Sequence, residues 1–122
     1  MGRRVLVVDD SASMRLLVGG TLESQSFEVF SAENGKAALE KLAEAGVVDL
    51  IITDLNMPEM NGLEFLEAAR KSPFARHTPI LLLTTETRAD FKAQAKASGA
   101  TGWLTKPFQP DQLMAVVNRV LP

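Results

Sequence analysis

The sequence predicts an α/β fold: a doubly wound, five-stranded parallel sheet in the order 2-1-3-4-5, with helices on both faces. Three observations carry this. Short aliphatic or β-branched runs alternate with stretches of helical periodicity along the whole chain. The first, third and fourth runs are apolar throughout, as in strands covered on both faces, whereas the second alternates and the fifth is short. Parallel βα units close through right-handed crossovers, and a centre of strands one, three and four fits that order.

The first strand is Val5-Leu6-Val7-Val8, and its helix carries the stripe Met14, Leu17, Val18 and Leu22. The second strand, Phe27-Glu28-Val29-Phe30, precedes a helix with Ala38, Leu39, Leu42 and Ala43 on its apolar face. The third is Leu50-Ile51-Ile52, followed by Leu63, Leu66 and Ala69-Arg70 at helical spacing. After the fourth, Ile80-Leu81-Leu82-Leu83, the helix from about residue 88 to 98 has the poorest stripe, little more than Phe91 and Ala95. It is expected to be the least firmly held element. The fifth strand, Gly102-Trp103-Leu104, leads to a helix opened by Pro110 with Asp111 beside it. That helix repeats Leu113, Val116, Val117, Val120 and Leu121 at i, i+3, i+4, i+7 and i+8. Gly35, Gly46, Gly62 and Gly99 mark element ends.

At 122 residues the chain has the size of one domain, expected over residues 1–122. Hydrophobic residues at 46% and charged residues at 23% are ordinary for a globular protein and exclude intrinsic disorder. A net charge of -2 gives no basic field for nucleic acid or anionic lipid. The absence of cysteine removes disulfides, thiolate metal sites and cysteine nucleophiles. No apolar run approaches the roughly 18 residues needed to span a bilayer. A cytoplasmic monomer, free of nucleic acid and not inserted in membrane, is the expectation.

In open α/β sheets the ligand lies outside the carboxyl ends of the strands, at the switch point between strands one and three. Those ends carry Asp9-Asp10, Thr53-Asp54, Thr84-Thr85-Glu86 and Thr105-Lys106-Pro107. Each alone has an ordinary structural explanation, since carboxylates cap helices, threonines favour strands and lysines are solvated. Together they specify an acid cluster flanked by a hydroxyl and an ammonium. Carboxylates converging in this way repel unless a cation sits between them, and a hard all-oxygen set suits Mg2+ or Mn2+. With no cysteine and one remote histidine, His77, zinc is disfavoured. Lys106 can neutralise a phosphoryl oxygen and the Thr84 hydroxyl can donate to another, so the constellation reads as a phosphoryl site whose nucleophile can be a carboxylate.

Val8-Asp9-Asp10-Ser11, Thr53-Asp54-Leu55-Asn56-Met57-Pro58, Gly62, Thr84 and Lys106-Pro107 resemble the response-regulator receiver domain in type and spacing, over essentially the whole chain. The Asp-Asp-Ser-x-x-Met-Arg run over residues 9–15 resembles the stand-alone chemotaxis regulators that act on the flagellar motor. The resemblance implies a flavodoxin-like (βα)5 fold and a signalling module, not an enzyme, that catalyses its own phosphorylation and dephosphorylation. It implies that Asp54 accepts a phosphoryl group from a sensor histidine kinase. Asp9 and Asp10 would hold Mg2+, with Asp10 and Asp54 as direct ligands and the Asn56 backbone carbonyl as a third. Lys106 and Thr84, with Thr85 beside them, would bind the phosphoryl group, and Lys106-Pro107 would be cis. Thr84 and Trp103 would form the switch that alters the face of helix four, strand five and helix five for a downstream target such as a flagellar motor switch protein. Asn56 and Glu86 would tune dephosphorylation, with a phosphatase as a further partner. Two positions depart from the commonest pattern: Trp103 replaces the usual tyrosine or phenylalanine, and Thr85 is bulkier than the usual alanine or glycine.

Other readings have less support. A receiver attached to another output domain fits the same motifs. An Mg2+-dependent aspartyl phosphatase is opposed by Asn56 where a second acid belongs and by the absence of a cap insertion. A flavin carrier would need a Ser/Thr/Gly-rich anion loop where Asp9-Asp10 stands. His77 reads as a surface residue, Met14 and Met114 as packing residues, Met57 and Met60 as loop packing, and Phe108 as a staple into the last helix. Arg88, Lys92 and Lys96 form a cationic stripe on helix four, which is ordinarily a solvated face.

Overall fold

The computed structural model describes residues 2–121. Its elements are β1 (Arg4–Val8), α1 (Ala12–Glu23), β2 (Glu28–Ala32), α2 (Gly35–Ala45), β3 (Leu50–Asp54), α3 (Gly62–Lys71), β4 (Ile80–Thr84), α4 (Ala89–Ala97), β5 (Gly102–Thr105) and α5 (Pro110–Val120). The sheet runs β2-β1-β3-β4-β5, parallel throughout, as expected. Its register pairs Val8 with Ala32 and Thr53, Asp54 with Leu83, and Thr84 with Thr105, so the polar residues after the strands emerge at one level.

Alternate side chains of each central strand enter opposite layers. Leu6, Val8 and Ile51 join Ala38 and Leu42 of α2 and Phe65, Leu66 and Ala69 of α3. Val5, Val7, Leu50, Ile52, Leu81 and Leu83 join Val18 and Leu22 of α1 and Leu113 and Val117 of α5. This two-sided burial is why those strands read as unbroken apolar runs. Each fully buried leucine contributes roughly 1.5–3 kcal/mol. Helix α4 is anchored by much less, a small cluster of Leu82, Phe91 and Ala95 with Trp103 against it, in keeping with its sparse stripe.

The helix stripes need three corrections. Leu17 is 44% exposed and Leu16 77% exposed, because the buried face of α1 is Val18, Gly19 and Leu22. Gly19 lies on that face against β2, 3.4 Å from Val29 Cγ1 by the position a Cβ would take, and Leu17 falls on the opposite, solvent side. Ala43 is likewise exposed, whereas Ala38 and Leu42 are buried. Phe65, which the i, i+3 spacing from Leu63 passes over, is fully buried and among the largest side chains of its layer.

The amino edge of the sheet is closed by two arginines. Arg4 donates from Nη2 to Ala45 O at 2.7 Å and from Nη1 to Val47 O at 3.0 Å, tying down the end of α2, and its guanidinium lies 5.0 Å from the Phe30 ring centroid. Arg70 donates to Gly99 O at 3.1 and 2.8 Å, to Ala75 O at 2.8 Å and to Thr78 O at 2.6 Å, joining α3 to the end of α4 and the approach to β4. Gly99 adopts φ 110°, the left-handed conformation that turns the chain out of α4 toward β5. Among the described residues, no helix is long and apolar enough to cross a membrane.

Candidate functional site

Asp9 follows β1 directly and is 1% exposed, Asp54 ends β3 and is buried, and Asp10 is exposed. Each offers a carboxylate oxygen within 4.8 Å of the others. Sheet register and a tight turn produce this convergence. The Asp9 N–H donates to Ala32 O at 3.1 Å, which extends the β1–β2 ladder by one bond. The Ser11 N–H donates to Asp9 Oδ1 at 2.9 Å, and the Ser11 hydroxyl caps α1 by accepting from the Met14 N–H at 3.3 Å. From one turn into α1, Arg15 Nη1 donates to Asp9 O at 2.6 Å.

Lys106 arrives from the other side. Its N–H donates to Thr84 O at 2.8 Å, continuing the β4–β5 pairing past Thr105, and the Lys106–Pro107 peptide is cis. Its ammonium donates to Asp54 Oδ1 at 2.7 Å and stands 3.6 Å from Asp9 Oδ2. At that longer distance Asp9 Oδ2 has an ionic neighbour but no hydrogen-bond donor, a buried oxygen left without one among the described residues. Burial holds the Asp9 carboxyl above its ordinary pKa, reinforced by the Asp54 and Asp10 charges and opposed by the Ser11 N–H and Lys106. Three carboxylates against one ammonium, with an orphaned oxygen facing them, fit a hard divalent cation with oxygen ligands.

The flanking residues divide into those at the cluster's rim and those committed elsewhere. Thr84 is buried, and its Oγ1 accepts from the Glu86 N–H at 2.9 Å. Thr85 and Asn56 are exposed. Glu86 Oε1 accepts from Thr87 N–H at 3.1 Å, Arg88 N–H at 3.0 Å and Arg88 Nε at 2.9 Å. Those donors, Arg88 foremost, hold the Glu86 carboxyl below its usual pKa and place it at the start of α4. Trp103 is partly buried, and the Lys92 ammonium lies 5.7 Å from its ring centroid. The expected stripe is therefore not a uniform solvated face: Arg88 pairs with Glu86, Lys92 sits over Trp103, and Lys96 is exposed.

Three residues that the sequence named only as strand-end, element-end or motif positions support the site. Thr53 Oγ1 donates to Asp54 O at 3.0 Å from a buried position beneath the site. Gly62 opens α3 against the main chain of Asp54, where a Cβ would stand 2.4 Å from Asp54 O, so only glycine lets α3 begin there. Arg15 is legible only as the last residue of a motif, because a helix-surface arginine gives no sequence sign that it folds back onto a strand end. Met57 is buried in the α2–α3 layer and Met60 packs beside it, while Met14, Met114 and Phe108 pack against the α1–α5 layer. His77 is exposed.

The chain is similar to known proteins over nearly its whole length. The family model described as response regulator receiver domain matches residues 5–118. Chemotaxis protein CheY1 of Helicobacter pylori is 38% identical over 119 residues, covering 97% of this chain and 96% of that protein. Two-component response regulator ORR11 of rice is 36% identical over 118 residues, covering 97% of this chain and 80% of its own. The high-resolution structure of chemotaxis response regulator CheY4 of Vibrio cholerae superposes with a TM-score of 0.93 at 48% identity, covering 99% of this chain and all of that one. The chain belongs to the response regulator receiver domain family, and its homologues include stand-alone chemotaxis regulators of the CheY type.

Proposed function

We propose that this receiver is switched by phosphorylation of Asp54 in a reaction that requires Mg2+, or Mn2+ in its place. One geometry carries the reading: three carboxylates gathered within 4.8 Å, with the Lys106 ammonium 2.7 Å from Asp54 Oδ1. Asp10, Asp54 and the Asn56 carbonyl hold the ion in this reading, and Asp9 supports it from beneath. A divalent ion there supplies charge neutralisation for the carboxylates and the transferring group.

The chemistry follows from the residues' positions. An oxygen of Asp54 attacks the phosphorus of a kinase phosphohistidine in line; the P–O bond forms as the P–N bond breaks, and the imidazole leaves. Lys106, already against Asp54, takes one phosphoryl oxygen, and Thr85 flanks the mouth. The Thr84 hydroxyl accepts one hydrogen bond now and retains its proton to donate to another phosphoryl oxygen. Drawing Thr84 toward the phosphoryl group pulls on the Glu86 N–H, and through Glu86 on the start of α4, the helix with the smallest buried anchor. With Trp103, that movement reshapes the α4–β5–α5 face for the downstream partner.

Hydrolysis resets the switch. Asn56 borders the mouth, and with Glu86 Oε1 taken by Thr87 and Arg88 the reading assigns Oε2 to the attacking water. The cellular role that fits is a cytoplasmic one in chemotaxis: a sensor histidine kinase upstream, a flagellar motor switch protein downstream and a phosphatase to speed the reset. Similarity to CheY proteins supports that assignment. The test is to expose the protein to a phosphorylated histidine kinase or a small acyl phosphate and map the label. Label on Asp54 that requires Mg2+ and vanishes in Asp54→Asn is expected. Metal-independent labelling, or label at another residue, contradicts the reading.

A further inference from the structure

We infer that Arg15 is a positioning residue for the divalent-cation site, acting through the main chain of Asp9. The inference rests on reading the acid cluster as a cation site. Asp9 and Asp10 are presented by the short turn between β1 and α1, and that turn is held at three atoms. The Asp9 N–H donates to Ala32 O at 3.1 Å, Asp9 Oδ1 accepts from Ser11 N–H at 2.9 Å, and Asp9 O accepts from Arg15 Nη1 at 2.6 Å. The last is the shortest of the three and the only one made by a permanent charge, in a partly buried setting where such bonds are strong.

The position of that bond gives Arg15 its leverage. Asp9 O and the Asp10 nitrogen belong to one rigid peptide plane, so clamping the carbonyl fixes the orientation from which Asp10 departs. Asp10 is the exposed member of the acid cluster. Arg15 thus supplies to the exposed carboxylate the order that burial supplies to Asp9 and Asp54. Residues that orient a metal's ligands are themselves worth roughly 10–100-fold in affinity.

The test is a calorimetric Mn2+ titration of metal-free wild type, Arg15→Ala and Arg15→Lys, with thermal melting of each in chelator. Alanine is the best helix former, so the first variant leaves α1 intact while removing the clamp. Arg15→Ala is expected to raise the dissociation constant roughly 10–100-fold, and Arg15→Lys, which restores a donor, to recover most of the loss. The Asp10 amide resonance should shift in Arg15→Ala while resonances of β3 and β5 stay in place. Unchanged Mn2+ affinity in Arg15→Ala overturns the inference. So does a loss that disappears once affinity is expressed per folded molecule in the chelator melts, since that marks a purely structural residue. A wild-type chain that takes up no Mn2+ overturns the cation site itself, and that result is distinct from either failure of the variant.

Discussion

The two edges of the sheet use charge in opposite ways. At the amino edge, Arg4 and Arg70 each direct several donors to carbonyls at helix ends and loop corners, among them Ala45, Val47, Ala75, Thr78 and Gly99, and Arg4 Nε also stands 3.7 Å from Glu28 Oε1. At the carboxyl edge, three carboxylates gather where the Lys106 ammonium pairs with Asp54 and Asp9, and among the described residues Asp9 Oδ2 receives no hydrogen bond. The first arrangement completes the backbone's hydrogen bonding and stabilises the fold. The second leaves the folded protein short of positive charge, and on the proposed reading that shortage is what draws a divalent cation there.

Substitutions at the two edges should therefore separate function from stability. Lys106→Met removes the cation paired with Asp54 and Asp9, and the rate of Asp54 phosphorylation should fall by roughly 10²–10³-fold, read with a small acyl phosphate at saturating Mg2+. Arg70→Ala strands several partly buried carbonyls and should cost roughly 3 kcal/mol in urea unfolding, while Mn2+ affinity of the folded fraction holds. If Arg70→Ala weakened the cation site as much as the fold, the two edges would not be independent. Asp9→Asn should move stability the other way, raising that of the metal-free protein by about 1 kcal/mol, because it removes charge repulsion at a buried position. The smallest effects belong to the rim: Asn56→Lys or Glu86→Leu should prolong the phosphorylated state, and Thr85→Ala should shorten it or leave it alone. Decay rates of the Mg2+-loaded, phosphorylated protein check these three.

Much of this was legible in the sequence, for reasons that also mark where legibility ends. Strands buried on both faces announce themselves as apolar runs, and the strand order places Asp9, Asp54, Thr84 and Lys106 on one edge without coordinates. The face of α1 was harder, since Leu16, Leu17 and Val18 are equally apolar and which of them turns inward is set by how the helix packs with Leu22 into its layer. Glu86 was read for its proximity to the phosphoryl site, yet its Oε1 is engaged with Thr87 and Arg88, a local turn that residue type alone does not reveal. Arg15 and Arg70 escaped for the same reason. Their chemistry lies in main-chain carbonyls brought near by tertiary packing, and a carbonyl leaves no mark in a sequence.

The shortage of positive charge at the carboxyl edge is tested most directly by melting the protein across acidic to neutral pH, with and without Mg2+. Asp9 carries a pKa raised above 3.8, so the folded state holds its proton longer than the unfolded state does. Asp9 therefore makes metal-free stability fall as pH rises from near 3.8 through its folded value. On the proposed reading Mg2+ binds the deprotonated carboxylates, so its stabilisation should be absent at acid pH and grow through the same window. It should reach about 1.4 kcal/mol when the free ion is at tenfold its dissociation constant. A Mg2+-induced rise in melting temperature that appears with increasing pH, and is lost in Asp54→Asn, is the predicted result. A melting temperature indifferent to Mg2+ at neutral pH would contradict it.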